Sequence, residues 1–216
     1  MFDGSVLRFY TQVNRAAWNE VMPLHQQAAR EKWDRAFMQA GYSCLDEPAP
    51  DLLRQIGIAG KAMAHLCCNV GIELLSIKNL GAGECIGFDI SDEAIPEAQE
   101  RADLCKIDCS YVRTDVYDIG SEYTQRFNLV YLSPGTLGWL PDLPRFLVIA
   151  AGLLREHGRI FIHEIHPFLE MLPFDDYAGE DVLRIIEPYF KPEPYIDYGG
   201  LDYVGKTQYS STKPQY

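Results

Sequence analysis

Gly71 closes the stretch His65, Leu66, Cys67, Cys68, Asn69, Val70 directly after an apolar run, and Asp89 follows 18 residues later. A glycine at such a turn lets the backbone double back and lets a ligand approach it closely. A carboxylate about 20 residues further on is placed to accept the two hydroxyls of a ribose. Asp89 also has a plainer use as a helix cap, for which Ser91 and Asp92 compete. Asp115 ends another apolar run and is placed either to accept from an adenine amino group or to sit in a solvated turn. Gly71 is the one glycine in its loop, so a dinucleotide GxGxxG fingerprint is not supported. The missing glycines make a nicotinamide oxidoreductase remote.

The elements that must carry these residues alternate. Residues 62–68 read as a strand, and Gly71 opens a helix running to about Leu80. Residues 84–90 form a second strand, followed by a helix capped by Ser91 and reaching about Cys105. Residues 109–114 and 127–132 are the third and fourth strands. A helix opening at Pro141 and Asp142 is expected to end at Gly158, with residues 159–165 as the fifth strand. This alternation predicts parallel βαβ units, hence an α/β chain with a Rossmann-like, open, mostly parallel, doubly wound sheet. Ligands bind such sheets beyond the carboxyl ends of the strands.

Before the sheet, residues 5–40 have helical spacing, with Val6, Phe9, Tyr10, Val13 and Ala17 on one stripe and Trp33, Phe37 and Ala40 on another. Pro23 starts a new helix or kinks a long one, Gly41 ends it, and residues 41–50 read as a linker. The expected organisation is a helical arm over 1–50, a ligand-binding core over 51–166, and an aromatic, proline-rich excursion over 167–216.

The 216 residues carry a net charge of −12. Phosphate binding rests on clustered Lys and Arg, so this balance argues against a nucleic-acid partner. No run of about 18 apolar residues marks a membrane span, and the N-terminus lacks the basic flank and apolar core of a secretory signal. The six cysteines read as small core residues in a reducing cytosol, and the expected location is cytoplasmic. Cys105-x3-Cys109 lacks the partners a metal site needs, so no metal is expected. Among the histidines, His166 lies beyond the fifth strand near Glu164, either as a base or as a turn residue. His163 is expected to pack against core or helix, and His25 is a solvated, capping or site residue.

The runs from Ala64 to Gly71, Leu80 to Ala82 and Gly87 to Ile95 resemble the cofactor-binding half of class I S-adenosylmethionine-dependent methyltransferases. Thr114 to Val116, Phe127 to Tyr131 and Leu153 to Arg159 follow in that family's order. Trp18 to Glu20, Pro23, His25, Trp139 to Leu143 and Glu164 to Pro167 resemble, more narrowly, a bacterial small-molecule-type branch with an N-terminal helical arm. The sequence departs from the family where a carboxylate commonly stands at His65 and glycines at Cys67 and Asn69.

The resemblance implies S-adenosyl-L-methionine as cofactor, S-adenosyl-L-homocysteine as product, and methyl transfer to an O or N nucleophile of a small molecule. Gly71 and the backbone of Cys67, Cys68 and Asn69 would border the methionine and ribose, and Asp89 would hold the ribose hydroxyls. Ile90 would pack on the adenine, and Asp115 and Val116 would address its edge. Ser133 and Pro134 would line the transfer mouth with Trp139 beyond, while Trp18 and Tyr10 would close over the cofactor. His166 is the candidate base. Tyr198 and Tyr203 are candidate acceptor-side residues on a tail that is either a lid or a subunit contact. The altered loop keeps a non-catalytic cofactor-binding or interaction module as the alternative. The family's closing β-hairpin has no counterpart after Ile165, so either the sequence is truncated or a second subunit, as in a homodimer, covers the edge.

Overall fold

The computed structural model describes residues 3–173, 184–190, 196, 198, 204, 211, 212 and 214. Five strands, β1 (Met63–Leu66), β2 (Cys85–Asp89), β3 (Ser110–Arg113), β4 (Phe127–Leu132) and β5 (Leu154–Ile162), pair in the order β3-β2-β1-β4-β5. Every pairing is parallel. The order reverses at β1, so the loops after β1 and β4 flank the switch point where open α/β sheets bind ligands.

Helices cover both faces. One core joins Ala64, Leu66, Phe88, Val130 and Leu132 of the sheet to Phe146 and Ala150 of α5 (Leu143–Gly152). The other joins Met63, Leu129 and Tyr131 to Leu53 of α2 (Ala49–Ile56), Leu74 and Leu75 of α3 (Ile72–Asn79), and Ala102 of α4 (Ala94–Cys105). Successive strand residues face opposite sides, so near-continuous apolar runs are what a sheet buried on both faces requires. On the α3 side one row crosses all five strands in register: Tyr111, Gly87, His65, Tyr131, Phe161. Gly87 is needed there, because a Cβ would stand 2.7 Å from both the Cys68 sulfur and the Tyr111 ring.

Two boundaries differ from the sequence expectation. The first strand stops at Leu66, which puts Cys67 and Cys68 in the loop rather than the strand. The helix expected to reach Gly158 ends at Gly152, and β5 starts at Leu154. The amides of Gln125 and Phe127 bond the carbonyls of Gly152 and Leu153, drawing the chain into the sheet early. Pairing then jumps from Phe127↔Leu154 to Leu129↔Arg159, so the residues between bulge out, with His157 left-handed at φ 63°. The polar, glycine-containing bulge hides this strand from a hydrophobicity reading.

The arm is one helix, α1 (Gly4–Phe37), with Pro23 inside it. Proline at 23 removes the N–H that would bond the Asn19 carbonyl. The buried stripe is Leu7, Thr11, Asn14, Ala17, Val21, Met22 and His25, whereas Val6 and Phe9 are exposed. Residues 41–48 link it to α2, which begins at Ala49. No strand follows β5 among the described residues, which leaves β5 at an edge of the described sheet. Among the described residues no helix is long and apolar enough to cross a membrane.

Candidate functional site

The loop after β1 has an unusual backbone. Cys67, Asn69 and Gly71 all adopt left-handed φ, at 56°, 47° and 75°. Glycine does this freely, while an L residue pays about 1–2 kcal/mol, less for Asn. Alternate left-handed residues turn the loop back over the sheet edge and into α3, whose first helical residue follows Gly71. A Cβ on Gly71 would stand 2.5 Å from the Tyr111 ring, whose hydroxyl donates to the Gly71 carbonyl at 3.2 Å. Strain of this kind persists only where surrounding bonds over-determine it.

Those bonds come from two directions. Asp89 Oδ2 accepts from the Asn69 amide at 2.8 Å and Oδ1 from the Ser91 amide at 2.9 Å, so one carboxylate ties the loop to the end of β2. Burial raises the Asp89 pKa, opposed by the N–H groups of Ser91, Asn69 and Ile90. Beneath the loop, Arg101 is wholly buried and donates to the Val70 carbonyl at 2.9 Å, to Asp34 Oδ1 at 2.8 Å and to Glu97. Sequence reading missed Arg101; the signal was a Glu97–Arg101 pair one turn apart on an otherwise apolar helix face.

Cys67 lies within electrostatic reach of Asp89 and Asp115, and burial, reinforced by these carboxylates, pushes its thiol well up and keeps it protonated. Cys68 is fully buried, its amide bonded to the Phe88 carbonyl and its sulfur against Gly87 and Tyr111, so its side chain belongs to the core. Asp115 is buried and accepts from the Tyr117 amide at 3.0 Å, while Val116 packs into the α5-side core. Ile90 is half-buried between Asp89 and Ser91. Ser133, just past β4, meets His65, Oγ to Nε2 at 3.1 Å. Burial lowers the His65 pKa to about 3, so the ring is neutral.

Beyond Ser133 the chain turns twice, with exposed Pro134 in the first turn and half-buried Trp139 in the second. Glu164 fixes these turns: its carboxylate accepts from the amides of Gly135, Leu137 and its own neighbour Ile165. With both oxygens so engaged, Glu164 is a loop anchor. His166 is exposed, its Nδ1 accepting from the Phe168 amide at 3.2 Å. His163 is half-buried rather than packed in the core, and its amide extends the β4–β5 pairing.

α1 lies over the opposite rim. Asn19 Oδ1 accepts from Ser91 Oγ and the Asp92 amide, and its Nδ2 donates to Asp92 at 2.7 Å. Arg15 forks onto both oxygens of Asp92 at 2.8 and 2.9 Å. The arm is thus docked by polar groups on the turn following Asp89. That explains why the stripe read from apolar residues alone was rotated. Trp18 reaches across to Trp139, ring centroids 5.4 Å apart, and His25 is buried edge-on to Trp18 rather than solvated. Tyr10 is half-buried and edge-on to Phe9. Tyr198 is 56% exposed and takes no part in this cluster through any described contact, its carbonyl accepting from the Ser211 amide. Tyr203 lies outside the described residues. Among the described residues no group of three or more His, Cys, Asp or Glu could hold a metal.

A parallel sheet whose order reverses at β1, with a tight loop after β1 and a carboxylate ending β2, defines a Rossmann-like fold. Residues 64–158 match the family described as "Methyltransferase domain". The fold agrees with a SAM-dependent methyltransferase from Aquifex aeolicus, at TM-score 0.50 and 12% identity over 83% of this chain and 79% of that one. A methyltransferase from Mesorhizobium loti gives 0.49 and 22% over 57% and 55% of the two chains. Among curated proteins, an 80-residue stretch is 36% identical to the rRNA N(6)-adenosine-methyltransferase METTL5 of Danio rerio, covering 36% of this chain and 38% of that one. The chain therefore matches well under half the length of that curated relative. The match to the methyltransferase family thus spans β1 through the first half of β5, and the likeness to the Aquifex aeolicus structure is one of fold.

Proposed function

We propose that the protein transfers a methyl group from S-adenosylmethionine to a small-molecule nucleophile. The observation that carries this reading is the loop of three alternate left-handed residues tied by Asp89 to the end of β2. The residues fit the cofactor. Asn69 Oδ1 is a buried acceptor with no partner among the described residues, and the Asp89 carboxylate keeps a lone pair free beside the backbone N–H groups it meets. When bound, the cofactor supplies a sulfonium-borne methyl group open to in-line displacement.

Around it, Asp89 would accept the ribose hydroxyls, and Asp115 and Val116 would address the adenine edge opposite Ile90. Gly71 and the backbone of residues 67–69 would border the methionine. Trp18 and Tyr10 would cover the cleft from the arm, while Ser133, Pro134 and Trp139 would line the acceptor side, with Tyr198 on the tail. The protein's contribution is orientation and exclusion of water. His166 is the candidate for removing an acceptor's proton, through Nε2, the nitrogen not engaged with Phe168.

The net charge of −12 favours a small acceptor over RNA, although METTL5 is by its name an rRNA methyltransferase. Incubation with methyl-labelled S-adenosylmethionine and, in parallel, a metabolite extract and total RNA tests the choice. Label in low-mass products is expected. Label in RNA alone would replace the acceptor class, and label in neither, with cofactor bound, would favour a non-catalytic module.

A further inference from the structure

His65 on β1 and Ser133, the residue just past the adjacent strand β4, meet at the acceptor side of the switch point, Nε2 and Oγ 3.1 Å apart. His65 is 0% exposed, and its Nδ1 has no hydrogen-bond partner among the described residues. A neutral imidazole carries one proton, so two arrangements produce this contact. If the serine hydroxyl donates to Nε2, the ring proton sits on Nδ1, and an N–H donor is stranded in a dry interior. If Nε2–H donates to Oγ, Nδ1 is a bare lone pair. Stranded buried N–H groups are rare, whereas under-satisfied acceptors are better tolerated. The second arrangement is therefore the stable one, and it leaves the serine O–H to be donated elsewhere.

Resting on the methyltransferase reading above, we propose that His65 is a positioning residue that holds Ser133 as a hydrogen-bond donor to the methyl acceptor. The acceptor is accordingly a compound with an accepting atom, a carbonyl oxygen or ring nitrogen, beside its nucleophile. The pair is not a serine–histidine base. A buried ring that protonates only near pH 3 does not retain a substrate proton, and a serine that already accepts from Nε2–H is not being deprotonated by it. The half-buried Trp139, six residues beyond Ser133 and edge-on to Trp18, adds an apolar wall suited to a planar ring.

Two measurements on the full chain test this. Long-range 1H–15N NMR of histidine-labelled protein, with His65 assigned by its loss in His65→Gln, is expected to show the Nε2–H tautomer. The Nδ1–H tautomer would overturn the assignment. Binding of matched probes is then compared at saturating S-adenosylhomocysteine and at mildly alkaline pH, where every probe is neutral: 2-aminopyridine against aniline, and 2-aminoacetophenone against 2-ethylaniline. The accepting member of each pair is expected to bind about two- to tenfold tighter, the span of one net hydrogen bond. That ratio should vanish in Ser133→Ala and His65→Leu and persist in His65→Gln, whose amide N–H2 can still donate to Oγ. No preference in any pair, or one that survives Ser133→Ala, would overturn the proposal. Failure of S-adenosylhomocysteine to bind would strike the methyltransferase reading, and the substrate class with it. The tautomer, measured on the protein alone, would still decide the role of His65.

Discussion

Buried His65 and half-buried Glu73, both on the α3 side of the sheet, should give this protein opposing pH dependences that cancel in the wild type. Burial lowers the His65 pKa from 6.5 to about 3. Burial, reinforced by Asp46 and opposed by its own backbone N–H, raises the Glu73 pKa from 4.5 to about 7. The depressed histidine contributes stability that is complete above pH 6.5 and is lost as pH falls toward 3, because the unfolded chain takes up the proton first. The raised carboxyl contributes stability that is complete below pH 4.5 and is lost as pH rises toward 7, because the unfolded chain ionises first. Each slope is about 1.4 kcal/mol per pH unit, so between pH 4.5 and 6.5 each amounts to about 2–3 kcal/mol with opposite sign.

The perturbation is Glu73→Gln, with His65→Gln as its mirror. Urea unfolding across pH 4–8 is the assay, read as the stability difference from wild type so that all other titrating groups drop out. For Glu73→Gln the difference should favour the variant by about 2–3 kcal/mol more at pH 7 than at pH 4.5. For His65→Gln it should favour the variant progressively as pH falls below 6.5. A difference that stays constant across this range in either variant would refute the burial argument for that residue.

Other consequences are simpler. Cys67→Val places a β-branched residue at φ 56° and should cost about 2 kcal/mol, lowering Tm by about 4–8 °C, whereas Asn69→Gly should change stability by less than about 1 kcal/mol. Thermal unfolding of the two variants checks the contrast. Arg101→Leu strands Glu97 and Asp34 and releases the Val70 carbonyl, so chemical denaturation should report a loss of about 3–5 kcal/mol. Glu164→Gln substitutes a donor for one of two accepting oxygens, and hydrogen exchange at the Gly135 and Leu137 amides should accelerate about tenfold or more.

The sheet was legible because apolar runs of strand length alternate with helical ones, and Phe127–Leu132 matched to the residue. β5 was half hidden because its first residues are polar and bulged, so its apolar part alone registered. The positions of Asp89 at the end of β2 and of Gly71 before α3 were legible from spacing. The left-handed geometry of Cys67 and Asn69 was not, since neither residue type announces it, and the missing glycines looked like a weakened loop. The arm's docking was unreadable from hydrophobicity because Arg15 and Asn19 make it with polar groups on Ser91 and Asp92. Glu164 was taken for a neighbour of His166, because its engagement with two amides nearly 30 residues away exists only in the folded chain.

The most direct test is calorimetric titration of S-adenosylmethionine and S-adenosylhomocysteine into wild type and Asp89→Ala. Micromolar binding to the wild type, abolished in Asp89→Ala while the variant remains folded, is predicted. No binding to the wild type at millimolar cofactor, or equal binding to both proteins, would contradict the site.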